Sequence, residues 1–533
     1  MNRFPLIAAL SLVVAGCGAG LHAKQAGENT AEVRLTLPAV YFSPQDSLVF
    51  TWQKGDSVLV KPVDEPEGKY YYLSYGEGSS TAVFEGPSLE EGRLYEFLYE
   101  AYGPEDIFTG SASAYPEGGV SCRLRHSASF IKAHFKIPGD EKLTAFILQP
   151  LVGTQQLANL QLDSLKGGFT HTMVLAPGYS QGMTALLLCG SGDLYTARLP
   201  EMEFKAGEGV LFDMEPVRYD YNIDDSDIRV LVARQQRLTV SVGEYSGIAR
   251  VEGNTYAVVH DKGAGGGLHT FNIELDGSGY PVLVTESEFE ANSGQAAGRD
   301  NEDVVYVPSR GTLFVSSEGD QSIREYGLDG FPTGVSLEIP ADMGISHIKP
   351  NAGFEPLAYD SSNGYFWTTT ESPLKDESLG EGMYRIQRFS DKSLAPDARY
   401  LYLSGTAVVP DAKVAAASAY VCGIAAMTAL PDGRLVVLER EVYVPGGSIL
   451  EKALGAFTRM SLYVIDPLHD TSGILRKQLL TRFYTQALNL ANFEGMTLGP
   501  ALADGSRTLL LIADSQGGKG GLTGEYLYVL TIR

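Results

Sequence analysis

Five times between residue 245 and the C terminus the chain repeats one unit: a short apolar strand, a turn, and a second apolar strand running into charged residues. The second strands are Tyr256–Asp261, Leu313–Glu318, Tyr365–Glu371, Leu435–Glu441 and Leu509–Asp514. Aligning the first strands puts Ala249, Glu302, Glu355, Ala425 and Glu494 in one slot, at spacings of 53, 53, 70 and 69 residues. A period of that size suits blades of about four short strands arranged as a β-propeller. Tyr384–Phe389, Ser461–Asp466 and Tyr526–Leu530 supply outer strands. Five blades are visible, and the longer spacings leave room for a sixth. A strand within Ile228–Ala233 or Leu238–Val242 is expected to pair with the last blade, closing the ring and removing an exposed edge.

In a propeller the innermost strands line a central channel, so a slot that recurs blade by blade faces its counterparts across that channel. Glu302, Glu355 and Glu494 are therefore expected at one level, with Asp261, Glu318, Glu371, Glu439 and Asp514 near the mouth and Asp303 beside them. Carboxylates gathered so closely raise one another's pKa unless protons or cations neutralise them. Calcium is the expected metal, because it accepts six to eight oxygen ligands in flexible geometry. Arg299 and Arg440 lie in the same segments, and a guanidinium matches phosphate bidentately. His260, next to Asp261, is a candidate proton-transfer group. Ala249 and Ala425 lack the acid, so the cluster is expected to be lopsided, with room for a ligand on the alanine side.

The formal net charge of −24 excludes a nucleic-acid partner, since no segment supplies the basic stripe that phosphate backbones require. With eight scattered histidines, no HExxH and four cysteines, a zinc enzyme is not indicated. A Cys122–Cys189 bridge is permitted outside the cytoplasm, but buried free thiols are the commoner outcome for cysteines this sparse. Arg3 and the apolar run Phe4–Val14 read as an export leader, too short to span a bilayer. The tetrapeptide Val14-Ala15-Gly16-Cys17 resembles the bacterial lipobox, which implies lipidation of Cys17 and anchoring to the outer membrane, on its periplasmic face or at the cell surface.

Organisation follows as a leader over 1–17, a small polar tether over 18–30, an all-β module over 31–219 and the propeller over 228–533. The module alternates apolar and polar residues, as in Glu32–Leu37 and Phe130–Ile137, and reads as a β-sandwich. Its segment Phe50–Val60, with Trp52, Gly55 and Asp56, and its segment Leu199–Gly207 resemble the fimbrillin-like modules of Bacteroidetes lipoproteins, which implies a stalk or an adhesive role. The fold class is thus all-β, a sandwich-type module followed by a five- or six-bladed propeller.

Read in order, Ser246–Ala249, Arg299–Asp303, Asn351–Glu355, Gly423–Met427, Leu438–Glu441, Asn492–Met496 and Ala513–Ser515 resemble the phytase-like domain, also called esterase-like activity of phytase. The resemblance implies a propeller with acidic residues at a phosphoesterase site. The expected function is that of a calcium-dependent phosphoric ester hydrolase, with Glu302, Glu355, Glu494 and His260 in catalysis, Arg299 and Arg440 on the phosphate, and the acids holding metal. The alternative is a surface lipoprotein that binds a glycan, protein or lipid with structural calcium. A serine esterase is not supported, since no Gly-x-Ser-x-Gly elbow occurs.

Overall fold

Strand content follows the apolar alternation, and the computed structural model of the 533-residue chain is all-β with only short helical turns. It describes residues 30–100 and 107–533, apart from 117, 138, 140, 151–157, 181, 192, 224–226, 241–242, 262–266, 289–299, 376–381, 406, 471–473, 487–488 and 516–523. Among the described residues no helix is long and apolar enough to cross a membrane.

The chain divides into two compact units, the first formed by residues 1–133, 171–178 and 203–212 and the second by 134–170, 179–202 and 213–533. The first is built on an eight-stranded sheet in which Thr30–Thr36 pairs antiparallel with Thr81–Pro87 and parallel with Val120–Arg123. Its core gathers the inward alternate residues, Val33, Leu35, Val58, Phe84, Phe97 and Phe108, around the fully buried Trp52. Trp52 packs edge-on to Phe84 at 4.7 Å between centroids, and its indole N–H donates to the Ser80 carbonyl at 3.1 Å. The turn that follows needs the left-handed backbone of Gly55 (φ 91°), and the Asp56 carboxylate closes it on the Gln53 N–H at 2.6 Å.

The second unit holds a five-stranded sheet and five four-stranded sheets that are the propeller blades. In the five-stranded sheet, Ala145, Ile147, Leu186 and Leu194 bury against Met383, Leu401 and Ile474 of the propeller. The blades are, in order, Tyr245–Glu252, Thr255–His260, Leu268–Leu275 and Pro281–Glu288; Asn301–Val307, Thr312–Ser317, Ser322–Tyr326 and Pro332–Ser336; and Phe354–Asp360, Tyr365–Thr370, Met383–Ser390 and Pro396–Leu403. Blade 4 comprises Ala417–Ala429, Leu435–Pro445, Phe457–Ile465 and Lys477–Gln486. Blade 5 takes Asn492–Ala501, Arg507–Asp514 and Tyr526–Ile532 from the C terminus, and its outer strand, Val230–Arg237, from the start of the propeller.

That outer strand pairs antiparallel from Val230↔Ile532 to Arg237↔Tyr526, so both ends of the domain share one sheet. The five inner strands each lie against two neighbours, and the contact between blades 5 and 1 completes the ring. Among the described residues there are five blades. Apolar side chains at the blade faces, such as Phe314, Phe366, Trp367, Leu438, Phe493 and Leu511, fill the space between neighbouring sheets.

Candidate acidic site in the propeller channel

Each inner strand carries a β-bulge at the level of the ring, near its first residues in four blades and mid-strand in blade 4, and the bulge aims the acidic slot. Pairing runs Tyr245↔His260, Asn301↔Ser317, Phe354↔Thr370, Ile424↔Glu439 and Phe493↔Ala513, and in every blade the register then slips. The slip leaves out Ser246, Glu302 with Asp303, Glu355 with Pro356, Ala425 and Glu494 in turn, and the first residue of each takes the slot. A bulge re-aims a side chain that regular pleating would send into the neighbouring blade. The register corrects the sequence alignment in blade 1: Ser246, not Ala249, holds the slot, while Ala249 pairs with Ala257 deeper in the blade. Blade 1 is apolar on both sides of the slot, so no charge marked the true register there.

The second strand contributes the residue that follows each paired position: Asp261, Glu318, Glu371, Arg440 and Asp514. Their backbones are fixed against the inner strands, with the N–H groups of Asp261, Glu318 and Glu371 donating to the carbonyls of Glu244, Asp300 and Gly353. Glu244 (φ 38°) and Asp300 (φ 58°) adopt the left-handed region, a strained backbone of the kind found where a site requires it.

This arrangement gathers Glu302, Glu318, Glu355, Glu371, Glu494 and Asp514, all buried, around the buried Arg440. The Arg440 guanidinium pairs with Glu494 and Glu371 in short contacts, with Glu355 at 3.3 Å and with the Asn492 side chain at 3.2 Å. Burial opposes a charged Arg440, but the three carboxylates outweigh it and keep the guanidinium protonated. Its Nε has no hydrogen-bond partner among the described residues.

Two carboxylate triads, Glu302–Glu318–Glu355 and Asp261–Asp300–Glu302, adjoin this cluster, each offering oxygens within 4.8 Å of one another, and Glu355 joins the first of them to Arg440. Glu302 belongs to both. Its side chain accepts no hydrogen bond and meets no cation among the described residues. Burial, then Glu355, Asp261, Glu494 and Glu318, raises its pKa well above the ordinary carboxylate value. Glu355 is raised by burial and Glu371 against the opposing pull of Arg440, and Glu494 is pushed up to about 7 by burial although Arg440 draws it down. An all-oxygen donor set of this density fits a hard divalent cation such as calcium.

Other residues expected at the site lie elsewhere. Asp303 turns away: its carboxylate accepts the Val304 N–H at 2.8 Å and the Leu357 N–H at 2.9 Å, tying blade 2 to blade 3. Glu439 is held by Lys477 at 2.6 Å, Tyr402 at 2.7 Å and the Gly405 N–H at 2.9 Å, and Lys477 also sits over the Tyr463 ring. His260 packs against Tyr245 and His269, and burial lowers its pKa to about 4, leaving it neutral. Arg299 and Cys17 lie outside the described residues. Cys122, Cys189 and Cys422 are free thiols. Sequence reasoning did not select Asp300, Asn492 or Ser246; their signal was adjacency to the slot, visible only once the bulge is known.

A family model described as phytase-like, esterase-like activity of phytase, matches residues 240–516, just over half of the chain. No curated protein matches by sequence. Among solved structures, a member of the DUF4221 family from Bacteroides vulgatus ATCC 8482 is 8% identical, with 57% of this chain and 98% of that one covered and a TM-score of 0.31. The Trichoderma reesei carbohydrate-active enzyme of family AA12 is 9% identical, covering 56% and 95%, with a TM-score of 0.29. A structural genomics protein of unknown function from Bacteroides thetaiotaomicron VPI-5482 is 7% identical, covering 80% and 94%, with a TM-score of 0.27.

Proposed function

Because the chain belongs to the phytase-like family, esterase-like activity of phytase, we propose that its propeller is a calcium-dependent phosphoric ester hydrolase. The observation that carries the reading is the uneven neutralisation of the channel: Arg440 pairs with Glu355, Glu371 and Glu494, whereas Glu302, which both carboxylate triads share, meets no protein cation among the described residues. Glu302, Glu318, Glu355, Asp261 and Asp300 would hold calcium, which when bound supplies positive charge for a phosphate and acidifies a water. Arg440 acts as a positioning residue that holds three carboxylates in place from behind. Ala425 and Ser246 leave the small-residue sectors through which an ester enters. The chain is exported and lipid-anchored through Cys17, with the N-terminal fimbrillin-like module as its stalk.

The test is phosphate release from a panel of phosphate mono- and diesters, with calcium and with chelator, by the full chain and by Glu302→Gln and Glu355→Gln. Expected is calcium-dependent release that falls at least a hundredfold in both variants. Undiminished release in the variants would sink the site. Calcium-dependent thermal stabilisation without turnover of any ester would replace the hydrolase with a binding protein.

A further inference from the structure

The second strands of blades 1, 2, 3 and 5 stop at the acidic level, at His260, Ser317, Thr370 and Asp514. In blade 4 the second strand runs through Arg440 to Pro445, and the inner strand begins six residues before its ring-level Gly423. At ~3.3 Å per residue the projection rises roughly 20 Å above the ring. All four strands of blade 4 take part, in rows Cys422–Glu441–Arg459–Tyr484, Val421–Val442–Thr458–Thr485 and Tyr420–Tyr443–Phe457–Gln486. Among the described residues, no other blade extends past the channel mouth in this way.

The chemistry of this projection is graded with height. Its base is charged and tied down, with Glu441 accepting the Val408 and Val409 N–H groups and pairing with Arg459 at 2.8 Å. Above that row residues 414–421 and 442–450 contain no charged side chain, in a protein where a fifth of residues are charged, and the next charges are Glu451 and Lys452 within the helix at the tip. Aromatic rings run up its side, Tyr443 tilted against Phe457 at 5.7 Å between centroids and Phe457 against Tyr484 at 6.2 Å, with Tyr484, level with Arg459, exposed. At the free end the short helix Ile449–Gly455, fixed by a Ser448–Glu451 capping box, holds Ile449, Leu450 and Leu454 out at 82%, 67% and 71% exposure.

We propose that this free end is an interfacial membrane-docking element: Ile449, Leu450 and Leu454 enter the acyl region of a phospholipid bilayer, and the aromatic rings lie at headgroup level. Aliphatic tips backed by tyrosines match the depth profile of a bilayer interface. The net charge of −24 means that attraction to anionic lipid is not what brings it there, so a zwitterionic surface serves and added anionic lipid weakens docking. Docked in this way, the mouth of the acidic ring is held roughly 20 Å from the acyl region, so a headgroup phosphate reaches it only when the lipid is drawn up out of the surface. The substrate class becomes a bilayer-resident phosphoester, a part of the inference that rests on the hydrolase reading.

The test uses the full chain with Cys17→Ser, which removes both the acyl anchor and its thiol, and with Leu454→Cys carrying an environment-sensitive fluorophore or, as control, Val282→Cys, which is exposed on blade 1. Cys122 and Cys189 are buried, and burial pushes the Cys422 thiol up to about 11, so these compete poorly for label. With phosphatidylcholine vesicles the label at 454 is expected to shift to the blue and to be quenched by brominated acyl chains, with the label at 282 unchanged. Ile449→Asp with Leu450→Asp should weaken vesicle binding at least tenfold and leave release from a water-soluble phosphoester as it was. An unresponsive label at 454, or a blue shift that needs no lipid and grows with protein concentration, overturns docking. Loss of all phosphate release with an intact lipid response overturns the hydrolase reading instead.

Discussion

Arg440 sits at the one second-strand ring position that is not acidic, and a single guanidinium faces three carboxylates there. Breaking a buried ion pair from one side leaves charge uncompensated and typically costs about 3–5 kcal/mol. Arg440→Met should lower the unfolding free energy by that order, read as a fall in the urea midpoint at unchanged m-value, and adding Glu494→Gln to the same chain should recover part of the loss. An unchanged midpoint in the single variant would mean that protons or cations already neutralise all three acids. The same logic separates Asp303 from its neighbour Glu302. Both are buried acids on one bulge, but Asp303 is consumed by two backbone N–H groups and Glu302 by none among the described residues. The sequence Asn301-Glu302-Asp303 does not tell them apart, because the bulge alone decides which carboxylate faces the channel and which faces the next blade.

Between elements, the spacing of blades 3 and 4 rests on Gly423. A Cβ there would lie 2.2 Å from the Glu371 carbonyl oxygen, and the following Ile424 N–H donates to that same oxygen at 3.1 Å. Because the obstacle is backbone, Gly423→Ala must push the strands apart, moving Glu371 off Arg440. The expected outcome is a drop in melting temperature together with loss of calcium-induced stabilisation, read by thermal unfolding with and without calcium. A variant that melts like the parent would show that the strands tolerate the methyl group. Strand existence and order in the blades were legible from alternating apolar residues and turn signals, which are local. The register in blade 1 was not, since neither Ser246 nor Ala249 carries an acid and only the slip between the Tyr245↔His260 and Gly247↔Val259 pairs distinguishes them.

For the whole molecule, the raised carboxylates make stability depend on pH with a definite sign. Glu302, Glu355 and Glu494 bind protons more tightly folded than unfolded, so the folded state holds the extra protons above the ordinary value of 4.5. Stability without metal is therefore greatest at low pH within this term and declines as pH rises, for Glu494 from about 4.5 until about 7. Chelated protein should melt at progressively lower temperature between pH 5 and pH 8, and calcium should raise the melting point more at pH 8 than at pH 5. A calcium effect independent of pH would place the ion away from these acids. The sequence by itself determined the repeat, the all-β class, the closure by an early strand and the set of acids, because periodicity and residue type are local properties. Only the tertiary structure decided which acids converge, that Arg440 is their internal counter-charge, and that blade 4 rises above the mouth. Those facts depend on bulges, registers and strand lengths set by packing between segments up to three hundred residues apart, such as Val230 and Ile532.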